Sequence, residues 1–240
     1  ADHLARSEVA GIVVTQGTDS MEATSYLLQR VLAPAKPVVL TGAMRPATAL
    51  VADGPQNLLD AVTVARTSGA AGVCVVFAGL VYGAGEVRKA HTQALAAFGA
   101  DEAGPLARVV DGPLLPWRAW PTGAPLGLAV LDGRWPWVEI VTSHADARGE
   151  LVDLLAAHGV EGIVVAATGN GTVHRALEAA LQRAEARGIA VRRSTRVASG
   201  AVHAPPGAAW TDTGALTPAQ ARIALALALR VAALSGSSGG

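Results

Sequence analysis

The sequence predicts an α/β protein of two domains, a larger parallel-sheet N-terminal domain and a smaller α/β C-terminal one, and three observations carry the prediction. Short, β-branched apolar runs without alternation recur at 11–14, 38–41, 72–77 and 162–166, the pattern of strands covered on both faces. Stretches of helical length follow most of them. Between the two βα sets lies an aperiodic stretch, Gly104 to Pro136, that collects many of the prolines and holds Trp117, Trp120 and Trp135. Composition agrees: 51% of the 240 residues are apolar but only 4% aromatic, which suits helices packed closely on a parallel sheet. That length provides ample core for one large domain or two small ones.

In chain order, ADHLARSEVA reads as the last turns of a helix leading into a strand at Gly11–Val14. Thr15, Gln16, Gly17, Thr18, Asp19 and Ser20 fall at its carboxyl end, where open α/β sheets bind ligands. Asp19 or Ser20 can cap the helix Met21–Leu32, with Glu22 complementing its dipole, so Thr18 and Asp19 can be a helix start or a reactive cluster. That helix stops before Pro34 and Pro37. Val38–Thr41 is the next strand, and the loop Thr41–Pro46 follows it. Pro55 opens a helix running to about Thr67, and Gly72–Phe77 is a third strand. Leu80–Thr92 reads as a hairpin around Tyr82-Gly83-Ala84-Gly85 that returns Lys89 towards the sheet, or else as an edge strand with a surface lysine. The boundaries drawn are 1–115 for the first domain, 116–136 for the connection, with the tryptophans as packing anchors, and 137–234 for the second domain. Within the second, strands at Val138–Thr142, Gly162–Ala166 and Ile189–Arg193 alternate with helices at Gly149–His158, Val173–Arg187 and Thr217–Ala233. Residues 235–240 are expected to form a flexible tail.

Several functions have no support. With 19 basic and 19 acidic side chains, nothing favours nucleic acid or an anionic membrane as partner. No run is read as a membrane span; the nearest, Ala221–Leu234, is short and flanked by Arg222 and Arg230. Asp2, His3, Arg6 and Glu8 interrupt any signal-peptide core. The six histidines show no HExxH and no CxxC partner, so no metal is expected, and the lone Cys74 reads as a buried, inert thiol. A P-loop, a GxGxxG and a GxSxG are all missing, and no organic cofactor is expected. Asn170-Gly171-Thr172 fits a glycosylation sequon incidentally.

The words QGTDSMEATSYLL, KPVVLTGAMRPATALVADGPQNLLDAV, Lys89-Ala90-His91-Thr92, ATGNGT and RRSTRVASGAV occur in this order, and together they resemble the bacterial L-asparaginases of the asparaginase/glutaminase family over roughly Ala1 to Arg230. The resemblance implies hydrolysis of L-asparagine to L-aspartate and ammonia, with some glutaminase activity, in a homo-oligomer, a dimer or tetramer, without cofactor. It maps Thr18, Asp19 and Lys89 onto the family's Thr-Asp-Lys group, with Asp19 also meeting the substrate's α-amino group. Carboxamide hydrolysis needs a nucleophile, a proton acceptor and oxyanion donors. Thr18 is the hydroxyl, Lys89 the acceptor once desolvation favours its neutral form, and the backbone of Gly17 and Thr18 the donors. Ala43 maps to a carbonyl that meets the substrate amide, and Asn170 to a residue of the second domain that contributes to a neighbouring subunit's site. Departures from the family are Thr172, where some members carry a second Asn, and AVHAPPGAAW, which has no glutamate.

The TGGTI-type loop with the family's other threonine is not in these residues, roughly 60 residues short of the family's start by the size of two βα units. Feeble activity is therefore expected. The alternatives are an incompetent member that binds amino acids or pairs with other subunits, and an ammonia-transferring relative. Cytoplasmic residence is the expectation, the periplasm its alternative.

Overall fold

The computed structural model describes residues 1–237. The chain forms two compact units, Ala1–Gly127 and a second that begins at Leu128, inside the stretch 116–136.

The first unit opens with α1 (Asp2–Ala5) and β1 (Ile12–Thr15). A 3₁₀ turn, Thr18–Ser20, runs directly into α2 (Met21–Leu32), which ends at Ala33 in a left-handed conformation just before Pro34. Then come β2 (Val38–Thr41), α3 (Gly54–Arg66) with Pro55 in its first turn, β3 (Val73–Phe77), β4 (Leu80–Gly83), β5 (Arg88–Lys89), β6 (Phe98–Gly99), β7 (Ala107–Val109) and β8 (Leu114–Pro116). One sheet has the order β1-β2-β3-β4-β7-β8, and β5 and β6 form a separate pair.

Strand alternation divides the core between two faces. Val38, Leu40, Val73, Val75 and Phe77 pack with Met21 and Leu28 of α2, while Val39, Cys74 and Val76 pack with Ala61, Val64 and Ala65 of α3. Full burial of a side chain such as Leu40 or Phe77 stabilises the fold by about 1.5–3 kcal/mol.

Four expectations for this unit are corrected. The sheet is mixed: β1, β2 and β3 run parallel, but β3-β4, β4-β7 and β7-β8 pair antiparallel. The Gly11–Val14 run was expected to be covered on both faces, yet β1 is an edge strand whose Ile12, Val13 and Val14 are half-buried. The hairpin turns at Ala78-Gly79, both at positive φ, and not at Tyr82–Gly85, because β4 pairs straight back on β3 with Phe77 opposite Leu80. Finally, the aperiodic stretch contains β7 and β8, which are too short for any period to show and owe their form to pairing, β7 with β4 and β8 with β7.

The second unit contains a 3₁₀ turn (Leu128–Leu131), β9 (Val138–Thr142), α4 (Glu150–Ala157), β10 (Gly162–Ala167), α5 (Arg175–Glu185), β11 (Ala190–Thr195) and α6 (Pro218–Ser237). Its sheet is parallel throughout, in the order β11-β10-β9. Ile163 and Val165 face Val152 of α4 and Leu177 and Leu181 of α5; Val164 faces Ala221, Leu225 and Ala226 of α6. At 20 residues α6 is long and apolar enough by composition to cross a membrane, contrary to the reading of its sequence. One face of it is buried on β9 and β10, with Arg222 Nε donating to the Val138 carbonyl. The helix also takes in 235–237, where a flexible tail was expected to begin; 238–240 lie outside the described residues. Trp120 and Trp135 pack against their units' cores as expected of anchors, whereas Trp117 is 55% exposed.

Candidate active site

The site begins where β1 and β2 end side by side. Thr15 is in register with Thr41, so the two following loops leave the sheet together. Gly42 makes their approach possible: a Cβ there would lie 2.5 Å from the Gln16 carbonyl oxygen, so only glycine lets the loop of Ala43 pass against the turn of Gly17 and Thr18. Short-range order then sets Thr18 and Asp19 on the 3₁₀ turn, with Thr18 half-buried and Asp19 exposed.

Lys89 arrives from 71 residues away on the short strand β5. Its Nζ donates to Thr18 Oγ1 at 2.8 Å and to Asp19 Oδ1 at 2.5 Å. The hydrogen bond from Lys89, and then its charge, hold the Asp19 carboxyl below the ordinary carboxylate range. Because the Asp19 side chain is 96% exposed, this contact arranges groups and adds little to stability. The main-chain N–H of Lys89 donates to Glu22 Oε2 at 3.0 Å. Asp19, Lys89, Ala90, His91 and Thr92 line an open depression, and a second, lined by Gln16, Thr41, Gly42 and Ala43, lies over the strand ends.

Two residues quoted in the sequence analysis only within a family word hold the Ala43 loop. Asp53 accepts from the main-chain N–H of Met44 (2.8 Å) and Arg45 (2.9 Å) and from Asn57 Nδ2 (3.2 Å). Partial burial pushes the Asp53 carboxyl up, but the N–H groups of Met44, Arg45 and Asp53 itself and the Asn57 amide outweigh it, and the net shift is downward. Asn57, 3% exposed, donates to the Gly42 carbonyl and accepts from the Ala78 N–H. Asp53 and Asn57 stand four residues apart in the word ADGPQNL, a spacing that puts both on one face of α3 and signals their joint role.

Asn170 belongs to the second unit. Its side chain is claimed by main chain: Oδ1 accepts from the His203 N–H at 2.8 Å, and Nδ2 donates to the His203 carbonyl at 3.2 Å. Thr168 and Thr172 exchange main-chain hydrogen bonds across the same turn. Gly171 at its centre has φ +86°, and a Cβ there would meet Arg193 Cδ at 2.7 Å. Thr18, Asp19, Lys89, Gly17 and Ala43 thus come together on the first unit. Among the described residues no group of three or more His, Cys, Asp or Glu could hold a metal ion, and burial pushes the Cys74 thiol up to about 12.

Residues 1–119 match the family model described as "Asparaginase, N-terminal", and residues 137–233 match "Glutaminase/Asparaginase C-terminal domain". The chain belongs to the asparaginase family. L-asparaginase 2 of Escherichia coli is 36% identical over 230 residues, covering 91% of this chain and 66% of that protein. L-asparaginase 2 of Bacillus subtilis is 36% identical over 234 residues, covering 94% and 62%. The crystal structure of a probable cytoplasmic L-asparaginase from Campylobacter jejuni superposes with a TM-score of 0.88 at 35% identity, covering 92% of this chain and 75% of that one. This asparaginase-family chain therefore spans 62% to 66% of the length of those two curated relatives. The two family matches fall one on each compact unit.

Proposed function

We propose that the protein hydrolyses L-asparagine to L-aspartate and ammonia by acyl transfer through Thr18. The observation that carries this is the contact of Lys89 Nζ with both Thr18 Oγ1 and Asp19 Oδ1. For Lys89 to act as base its amine must be neutral when Thr18 attacks the side-chain carboxamide carbon; it then takes the hydroxyl proton. The oxyanion that forms is met by main-chain N–H donors at Gly17 and Thr18. Collapse breaks the C–N bond, Lys89 returns the proton to the leaving ammonia, and water hydrolyses the threonyl ester to L-aspartate. Asp19 orients Lys89 and meets the substrate ammonium, the Ala43 carbonyl accepts from the substrate amide, and Asn170, through the loop it holds at His203, supports a neighbouring subunit's site in a dimer or tetramer.

Relatives described as glutaminase-asparaginases, such as that of Acinetobacter glutaminasificans at 33% identity, support L-glutamine as a second substrate. Cytoplasmic residence is supported by the similarity to the Campylobacter jejuni protein, although a Haemophilus influenzae relative is described as periplasmic.

The test is ammonia release from L-asparagine and L-glutamine by the chain, Thr18→Ala and Lys89→Met. Loss of about 10²–10⁴-fold in kcat in each variant, with melting temperatures held, is the expected outcome. Release undiminished in Thr18→Ala would remove Thr18 from the chemistry. No release from any form, beside intact amino-acid binding, would favour a non-catalytic member.

A further inference from the structure

We infer that Glu22 is a positioning residue: its carboxylate sets the place of Lys89 by receiving that residue's main-chain N–H, so that one helix start carries both the reactive hydroxyl and the mount of the amine that faces it. The inference rests on the proposed role of Thr18 and Lys89, and its test separates the two.

Lys89 is not fixed by the main sheet. It lies on a two-residue strand whose partner is the two-residue β6, with Arg88 opposite Gly99 and Lys89 opposite Phe98. Such a pair is marginal alone. A side-chain amine at the end of four methylenes is then only as well placed as its backbone. The bond from Lys89 N–H to Glu22 Oε2, 3.0 Å long and spanning 67 residues, ties that backbone to α2. Glu22 follows Thr18 by four residues, one helical turn, and Met21 beside it is fully buried, so the start of α2 is firmly seated in the core. The distance from Thr18 Oγ1 to Lys89 Nζ is thereby set through a closed circuit of Thr18, the first turn of α2, Glu22 and Lys89. Catalytic geometry is sensitive on this scale, since a displacement of about 1 Å costs on the order of 10²-fold in rate.

The ordinary role of a glutamate in a first turn is electrostatic, and it needs charge but no reach. Two conservative variants separate the roles. Glu22→Gln removes the charge and keeps an acceptor at the same distance. Glu22→Asp keeps the charge but is shorter by one C–C bond, about 1.5 Å, and withdraws the acceptor beyond hydrogen-bonding range. Both are tolerated in a first helical turn, so folding is preserved.

The measurements are hydrogen exchange of the Lys89 amide, followed by NMR, and the kcat and KM for L-asparagine. Glu22→Asp is expected to speed Lys89 amide exchange by about tenfold or more and to lower kcat by about 10- to 100-fold with KM within about threefold. Glu22→Gln is expected to recover most of both. The opposite ranking, or an amide protected equally in all three proteins, overturns the inference. If exchange follows the expected ranking while none of the proteins releases ammonia, the mount stands and the proposed hydrolysis fails.

Discussion

Two turns at the carboxyl ends of strands, one in each unit, are built from much the same residue types and put them to different use. After β1 the turn Gln16–Ser20 offers Thr18 and Asp19; after β10 the turn Thr168–Thr172 offers Thr168, Asn170 and Thr172. In the second turn polar groups are spent on main chain. Asn170 bonds both main-chain groups of His203, the Thr168 hydroxyl donates to the Thr172 carbonyl, and Thr195 Oγ1 of β11 donates to the Gly169 carbonyl at 2.8 Å. In the first turn Thr18 and Asp19 meet another side chain, Lys89; Thr18 is half-buried, while Asp19 is exposed and lines an open depression together with Lys89. A hydroxyl or amide that satisfies backbone stabilises a loop. One that meets an ionisable side chain leaves its backbone to other partners. Residue type alone does not separate the two uses.

The Asp53–Asn57 pair is structural although it sits beside the candidate site, and removing it should have the largest effect on stability. Asn57→Ala leaves the Gly42 carbonyl and the Ala78 N–H without their partner. A loss of about 2–4 kcal/mol in urea unfolding is expected, with turnover falling as the Ala43 loop shifts. A loss below about 1 kcal/mol would mean that the loop holds itself.

Asn170→Ala sharpens the contrast at smaller cost. Its two bonds lie at an exposed turn, so about 1 kcal/mol should be lost, together with protection of the His203 amide from exchange. Should KM rise while His203 protection stays as it was, Asn170 belongs with the reactive set and the contrast between the turns collapses.

The smallest effect is an acid limb from Asp53. Its carboxyl pKa is lowered in the folded state, so its contribution is complete above the ordinary aspartate value of about 3.9 and is lost as pH falls through the lower folded value. Solvent screening keeps this below about 1 kcal/mol. It should be visible as a fall in stability below about pH 4 that Asp53→Asn lacks, measured by thermal melts across pH.

Much of this was legible from the chain. The β-branched runs gave β2, β3, β9 and β10 nearly to the residue, and Pro34 marked the end of α2 and Pro55 the start of α3, because both signals are local. The hairpin was misplaced because Gly83 and Gly85 look like its turn; a turn does stand there, with the Gly83 carbonyl accepting from the Glu86 and Val87 N–H groups, but it leads into β5, and the chain reverses onto β3 at Ala78-Gly79. Strands β7 and β8, three residues each, carry no period and exist through their partners. In the candidate site, Thr18, Asp19 and Lys89 were found by resemblance to a family, and Asp53 and Asn57 were quoted in its words without their role being seen.

What the sequence determined by itself is which segments become strands and helices, and which residue types stand at the strand ends, because periodicity, β-branching and turn chemistry act between near neighbours. Tertiary structure alone decided that Lys89 meets Thr18 across 71 residues, that Glu22 receives its N–H, and that Asn170 is claimed by His203. Each of those is a choice of hydrogen-bond partner, and a polar group takes whichever partner the packing of distant segments brings within about 3 Å.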